Sequence, residues 1–480
     1  MRIRAMVVAG MIGVGVGLGT AVTGQAAPMP EALSASVFDD FLGRAVEFTG
    51  LPGVSAVITH RGEVVHAAGY GHDSAGAAVT ERTPMRIASL TKAFTAMAVM
   101  IGVEDGMIDL DRPVVEQLPE FRTEDSRSDR ITVRHLLNQT SGLADSTVDI
   151  PATESTNSLE QYTATLRTAR LAAEPGTRYA YSNVNYNLAA RLVEVVSGRE
   201  YGEYLRERIF EPLGMAESVL GDEIVSPADG FNSLFGRWIA RDELAGFLDE
   251  SGSGGVITTA ADLGRWLITQ SGDGPQLVSR ESLALMHTPS PVRDYGMGWG
   301  LEETTSTPLV THSGNLFTYT SAAALDPATG YGFAVLANSA ALYDDTYEIL
   351  AGLVALGRGE NPEMPGGGRQ WTEGVLAVIT LGALGLGITG VLRSRGWAGR
   401  RASSRWWWTA LRCVPALVPI LLFASYPQAL SVLMNGRTVT WAQLTYFPAP
   451  LSIALLTCAL AATATLTARL AHLRSLSSTR

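Results

Sequence analysis

The chain has 480 residues, long enough for two or three domains, and a formal net charge of −11. The charge is unevenly divided: residues 1–370 hold 46 acidic and 26 basic side chains, whereas residues 371–480 hold one acid, Glu373, and ten arginines. An acidic main body argues against nucleic-acid binding, and an apolar, basic tail with almost no acid points to a membrane.

At the N-terminus, Arg2 and Arg4 precede an uncharged stretch over residues 5–22, and small residues lead to Pro28. This reads as an export signal over residues 1–27, cleaved after Ala26 or Ala27, so that the domain that follows lies outside the cytoplasm. Both cysteines, Cys413 and Cys458, fall in the apolar tail, and no disulfide is expected in the exported part. Residues 54–59 and 63–67 read as two strands joined at Arg61-Gly62.

Ser89-Leu90-Thr91-Lys92 follows, and Lys92 is the only lysine in the chain, against 35 arginines. A GC-rich coding sequence explains the arginines, but not a surviving lysine three residues after a serine. Arginine keeps its proton at any useful pH, whereas a buried lysine amine can lose it and act as a base. Apolar and small residues from Ala93 to Val103, stopped by Asp105-Gly106, predict a buried helix starting near Ser89. Positions i and i+3 share a helical face, so the amine can reach the hydroxyl. The helix N-terminus also favours a developing alkoxide.

Further along, Thr132 is a candidate cap for a short helix over residues 133–139, and residues 145–158 read as a polar loop. Tyr181-Ser182-Asn183 precedes a helix over 186–196, with further helices over 201–210 and 261–269. Strand-like runs cover 309–312, 318–325 and 332–336, and a closing helix covers 347–356. Strands at both ends with helices between predict an α/β domain, residues 28–361, whose first and last segments pair around an inserted helical domain. His60, His66 and His72 have no accompanying acidic ligand pattern, so no metal site is expected. No phosphate-binding glycine loop or Gly-x-Ser-x-Gly elbow occurs, and no cofactor is expected.

Residues 362–370, with three consecutive glycines, read as a linker to a membrane region over 371–480. Three transmembrane helices are expected at about 374–392, 406–426 and 448–468. Five arginines between the first two spans place that loop in the cytoplasm, so the loop over 427–447, with only Arg437, is outside. The expected location is the plasma membrane, with membrane lipid as a partner.

Ser89-x-x-Lys92, Tyr181-Ser182-Asn183 and His312-Ser313-Gly314, in that order, resemble the three motifs of the serine β-lactamase and penicillin-binding protein superfamily. The tyrosine makes the chain similar to the class C β-lactamase branch, which includes D-peptidases and esterases. Residues 136–143, 209–215 and 254–259 also look familial, and the likeness covers roughly residues 35–358. It implies a β-lactamase-like fold, an antiparallel sheet flanked by helices with an inserted helical domain, followed here by an all-α transmembrane region.

The resemblance implies that Ser89 is the nucleophile, activated by Lys92, and that Tyr181 shuttles a proton and then activates water. It also implies that Asn183 holds the substrate amide and that the N–H groups of Ser89 and Asn315 form an oxyanion hole. His312, Ser313 and Gly314 would line the substrate site. The departure is His312, which stands where a lysine would face a substrate carboxylate. A histidine there is mostly neutral near pH 7 and is expected to titrate between about pH 5 and 8. Any β-lactam hydrolysis is therefore expected to be weak. The expected function is a membrane-anchored serine hydrolase acting on a D-amino-acid peptide, an amide or a small ester, cell-wall derived or not. Its rival is a non-turnover β-lactam- or peptidoglycan-binding sensor.

Overall fold

The computed structural model describes residues 33–222, 224–244, 251–302, 307–434 and 436–477, and the expected export signal lies outside them. The core is a six-stranded antiparallel sheet. Across it the strands run Glu63–Gly71, Gly53–His60, Tyr331–Ala337, Thr320–Asp326, Leu309–Asn315 and Gly300–Glu302. Pairing of Val54 with Ala337 and of Ala56 with Val335 closes the N-terminal hairpin onto the C-terminal strands. Alternate side chains serve opposite faces, as the period of two requires. Ala56, Ile58, Phe333 and Val335 meet the helices Ala35–Thr49 and Asp345–Gly357. Val57, Ala334 and Leu336 meet the other face, with the helices Thr91–Glu104 and Ala260–Gln270. Both faces are thus covered, and the central strands Gly53–His60 and Tyr331–Ala337 are buried along nearly their whole length.

Between the two halves of the sheet lies the inserted, mainly helical part. Its helix Asn183–Ser197 packs beside Thr91–Glu104, which is buried over nearly its whole length. The polar stretch over 145–158 departs from the expected loop. It holds a short helix, Ile150–Glu154, capped by the Asp149 side chain, and Ser158 caps the next helix, Leu159–Thr165. A second hairpin, Gly230–Leu234 with Arg237–Arg241, turns at Phe235-Gly236, both with positive φ.

In the tail, Gly368–Leu392 and Ala449–Leu476 are long and apolar enough to cross a membrane. A third candidate, Val414–Ala424 followed by Tyr426–Leu433, is bent by 62°. The break falls at Ser425, two residues before Pro427, which has no N–H to continue the helical ladder back to Phe423. Gly387 lies against Ala461 and Gly390 against Thr465, so the two long helices run parallel and pack through small residues.

The stretch expected to link the two regions is tied to the catalytic part. Buried Arg369 donates to Asp345 at 2.8 Å, to Ser233 Oγ at 3.2 Å and to the Thr49 carbonyl. Glu373, the lone acid of the tail, accepts from the Gly236 N–H at 2.6 Å.

Candidate active site

Ser89 sits in a short 3₁₀ turn, Ala88–Leu90, that leads into the helix Thr91–Glu104. Ala88 before it has φ +48°, a left-handed conformation that costs a non-glycine residue about 1–3 kcal/mol and is typical of functional sites. Lys92, one turn on, is fully buried. Its Nζ lies 3.0 Å from Ser89 Oγ, 3.0 Å from Asn183 Oδ1 and 2.8 Å from the Ser253 carbonyl. The last two atoms accept hydrogen bonds and take two N–H donors. In a neutral amine the remaining position is the lone pair, and it faces the Ser89 hydroxyl. Burial, assisted by the Arg437 charge and opposed by Asp145, holds the amine well below the ordinary lysine range.

Tyr181 stands over the same point, its ring centroid 4.9 Å from Lys92 Nζ. Burial pushes its phenol up, while the Arg437 charge and then a hydrogen bond with Ser89 pull it down. The familial stretch over 136–143 positions this segment. The Gln139 carbonyl accepts from Ala180 N–H at 2.9 Å, and its side-chain oxygen accepts from Ser182 N–H at 3.1 Å. The Ser182 hydroxyl in turn donates to Asp145 at 2.7 Å. The stretch over 254–259 acts similarly, since Val256 N–H donates to Thr91 Oγ1 at 3.0 Å just after the Ser253 carbonyl.

His312, Ser313, Gly314 and Asn315 lie on the strand Leu309–Asn315, which runs past the nucleophile turn. Gly314 is needed there: a Cβ would stand 2.3 Å from the Ile87 carbonyl. Ser89, Asn183 and Asn315 line one cavity of about 110 Å³, while Lys92 is sealed beneath it.

The His312 ring is not poised to titrate near neutrality. Burial, the largest cause, pushes its pKa down to about 3, below the expected window of pH 5 to 8. Its Nδ1 donates to the Ser313 carbonyl at 2.8 Å, so in the neutral ring Nε2 is the acceptor for the Tyr295 hydroxyl at 3.1 Å.

Three groups around the site were not anticipated from the sequence. Tyr295 engages His312, Asp145 engages Ser182, and Arg437, from the loop between the last two apolar helices, donates from Nε to Asp145 at 2.8 Å. One signal for Arg437 was available: it is the only charged residue between Arg412 and Arg469.

The sequence model of the Beta-lactamase family matches residues 38–355, well over half of the chain. The chain belongs to the Beta-lactamase family. This is a family of serine hydrolases that includes D-amino acid amidases and penicillin-binding proteins. Among its relatives, Protein flp of Staphylococcus aureus (strain MW2) is 28% identical over 299 residues, a match covering 60% of this chain and 60% of that protein. An octameric penicillin-binding protein homologue from Pyrococcus abyssi is 30% identical, with TM-score 0.60 over 69% of this chain and 79% of that one. The D-amino acid amidase of Ochrobactrum anthropi SV3 is 26% identical, with TM-score 0.54 over 64% of this chain and 92% of that one. Both structural matches cover about the length of the family domain, which holds Ser89, Lys92, Tyr181 and His312.

Proposed function

We propose that this Beta-lactamase family member is a membrane-anchored serine hydrolase that cleaves a small ester or a D-amino-acid amide or peptide outside the cell. The observation that carries the reading is the Lys92 amine. It is buried, held by two acceptors and aimed at Ser89 Oγ from 3.0 Å. In this reading Lys92 takes the Ser89 proton as Oγ attacks the substrate carbonyl, and the carbonyl oxygen becomes an oxyanion facing the N–H groups of Ser89 and Asn315. Collapse forms the acyl-enzyme on Ser89, and Tyr181 delivers a proton to the departing amine or alcohol. A water then gives its proton to Tyr181 and attacks the ester, Lys92 returns its proton to the departing Ser89 Oγ, and the acid is released. The place of Tyr181 beside Ser89 supports turnover rather than a trapped acyl-enzyme.

Membrane anchoring is supported by the apolar helices, and the orientation by their parallel pairing. Parallel helices put Gly368, which follows the catalytic domain, and Ala449 on the same side, and the clustered arginines on the other. A neutral His312 provides no cation for a β-lactam carboxylate, which supports esters and amides over β-lactams.

The test is a substrate panel on the full chain in detergent: short p-nitrophenyl esters, D-amino-acid amides, D-Ala-D-Ala peptides and nitrocefin, each with Ser89→Ala as control. Esters or amides should be hydrolysed in a Ser89-dependent manner and faster than nitrocefin. No Ser89-dependent hydrolysis of any of them overturns the reading. Reporters fused at Ser403 and after Arg480 should both report the cytoplasm, and an exterior signal from either overturns the topology.

A further inference from the structure

The loop over 436–447, between the last two apolar helices, forms a wall of the Ser89 cavity. Arg437, Thr438 and Gln443 line it together with Ser89, Asn183 and Asn315. The loop is fastened at several points. Thr438 donates from its N–H to Asp145 Oδ2 at 3.3 Å and from its hydroxyl to the Asp145 carbonyl at 3.2 Å. Gln443 donates to Glu154 at 3.4 Å. Phe447 stacks on Phe317, with centroids 6.3 Å apart, and the Arg241 guanidinium lies 3.7 Å from the Tyr446 ring centroid. A membrane tail that served only as an anchor has no need of such contacts.

The charge on that wall is the informative part. Arg437 reaches the site from a loop with no other charged side chain, and Asp145 orients it through Nε alone. Among the described residues its two Nη groups hydrogen-bond to no protein atom, so the distal edge of the fork is available. That edge can give two parallel N–H bonds to a carboxylate. Its carbon lies 5.3 Å from the Tyr181 ring centroid, beside the reacting groups. At about 110 Å³ the cavity is well below the roughly 300–1,000 Å³ of pockets for drug-sized ligands. With the loop in place, the group held there is small.

We infer that Arg437 is a specificity-determining residue of the Ser89 site, and that its guanidinium receives a carboxylate carried by a small acyl group of the substrate. Arg437 then adds a cation for the acyl group, while the third motif, at His312, still offers none to a carboxylate on the leaving group. The inference rests on the hydrolase reading, and it deepens that reading by naming a substrate class: short acids with a second carboxylate, joined to their leaving group as an ester or amide.

Three p-nitrophenyl esters of matched length test this on the full chain in detergent: one ending in a carboxylate, one in a methyl group and one in an ammonium. The anionic ester should have the highest kcat/KM. In Arg437→Gln the ratio of anionic to neutral ester should fall by at least about tenfold, the loss expected for a charged hydrogen-bonded pair. Arg437→Lys should keep part of the preference. Any change in the Lys92 base or in folding affects all three esters alike and cancels in the ratio. Ser89-dependent hydrolysis with an unchanged ratio in Arg437→Gln, or with the ammonium ester preferred by the unsubstituted chain, overturns the assignment and leaves the hydrolase reading intact. No Ser89-dependent hydrolysis of any ester overturns both.

Discussion

Arg437 Nε stands 2.8 Å from Asp145 Oδ2, a contact between residues 292 apart that joins the loop between the last two apolar helices to the cavity at Ser89. The ion pair lies beside Lys92 and Tyr181, and its positive member lowers the pKa of both. Removing that charge has a predictable sign.

Activity that needs neutral Lys92 rises with pH through the depressed pKa of its amine. Arg437 disfavours the lysine cation and Asp145 favours it. Arg437→Gln removes the first influence and leaves the second uncompensated, so the pKa rises. The ascending limb of log kcat/KM against pH, measured on a neutral ester, should therefore move to higher pH. A limb that stays in place or moves to lower pH contradicts this account of the charges.

His312 should contribute nothing to the profile between pH 5 and 8, because its ring is neutral down to about pH 3. His312→Gln removes the ring that Tyr295 holds and is expected to lower the rate without removing a limb in that window. If the unsubstituted chain shows a limb there that His312→Gln abolishes, the ring titrates near neutrality after all.

Arg369 fastens the first apolar helix to the catalytic domain. Its side chain is 4% exposed and that of its partner Asp345 1%, so Arg369→Ala leaves a buried carboxylate without its cation. The expected cost is about 3–5 kcal/mol, measured by chemical or thermal unfolding of the full chain. A loss below about 1 kcal/mol, the range of exposed pairs, contradicts the tight docking described here.

What was legible in the sequence was local in character. Ser89 and Lys92 are one helical turn apart, and the Asn183 amide that meets them follows Tyr181 within one motif. The strands Gly53–His60, Thr320–Asp326 and Tyr331–Ala337 declared themselves through mostly apolar runs that are buried along nearly their whole length. The helix Ala35–Thr49 was missed although Gly50 ends it in the left-handed conformation, a stop signal visible in the sequence. The polar stretch over 145–158 read as a loop because its caps, Asp149 and Ser158, are the same residues that favour turns. The bend in the second span falls two residues before Pro427, which lay just beyond its expected end. Arg437 belonged to another class of miss. Its loop was placed on the outer side, but no periodicity or motif shows that a loop so distant in sequence folds back onto Ser89. The lowered pKa of His312 was hidden for a related reason, since burial is a property of the assembled site.

The central claim is that Lys92, as a neutral amine, activates Ser89. The most direct measurement is single-turnover acylation by a short p-nitrophenyl ester, followed by release of nitrophenol and by mass spectrometry of the peptide bearing Ser89. The unsubstituted chain should gain the acyl mass on Ser89. Lys92→Arg keeps the charge but cannot act as a base, so it should show no burst and no adduct. An Arg variant that acylates within about tenfold of the unsubstituted chain, a barrier difference of ~1.4 kcal/mol or less, would contradict the claim.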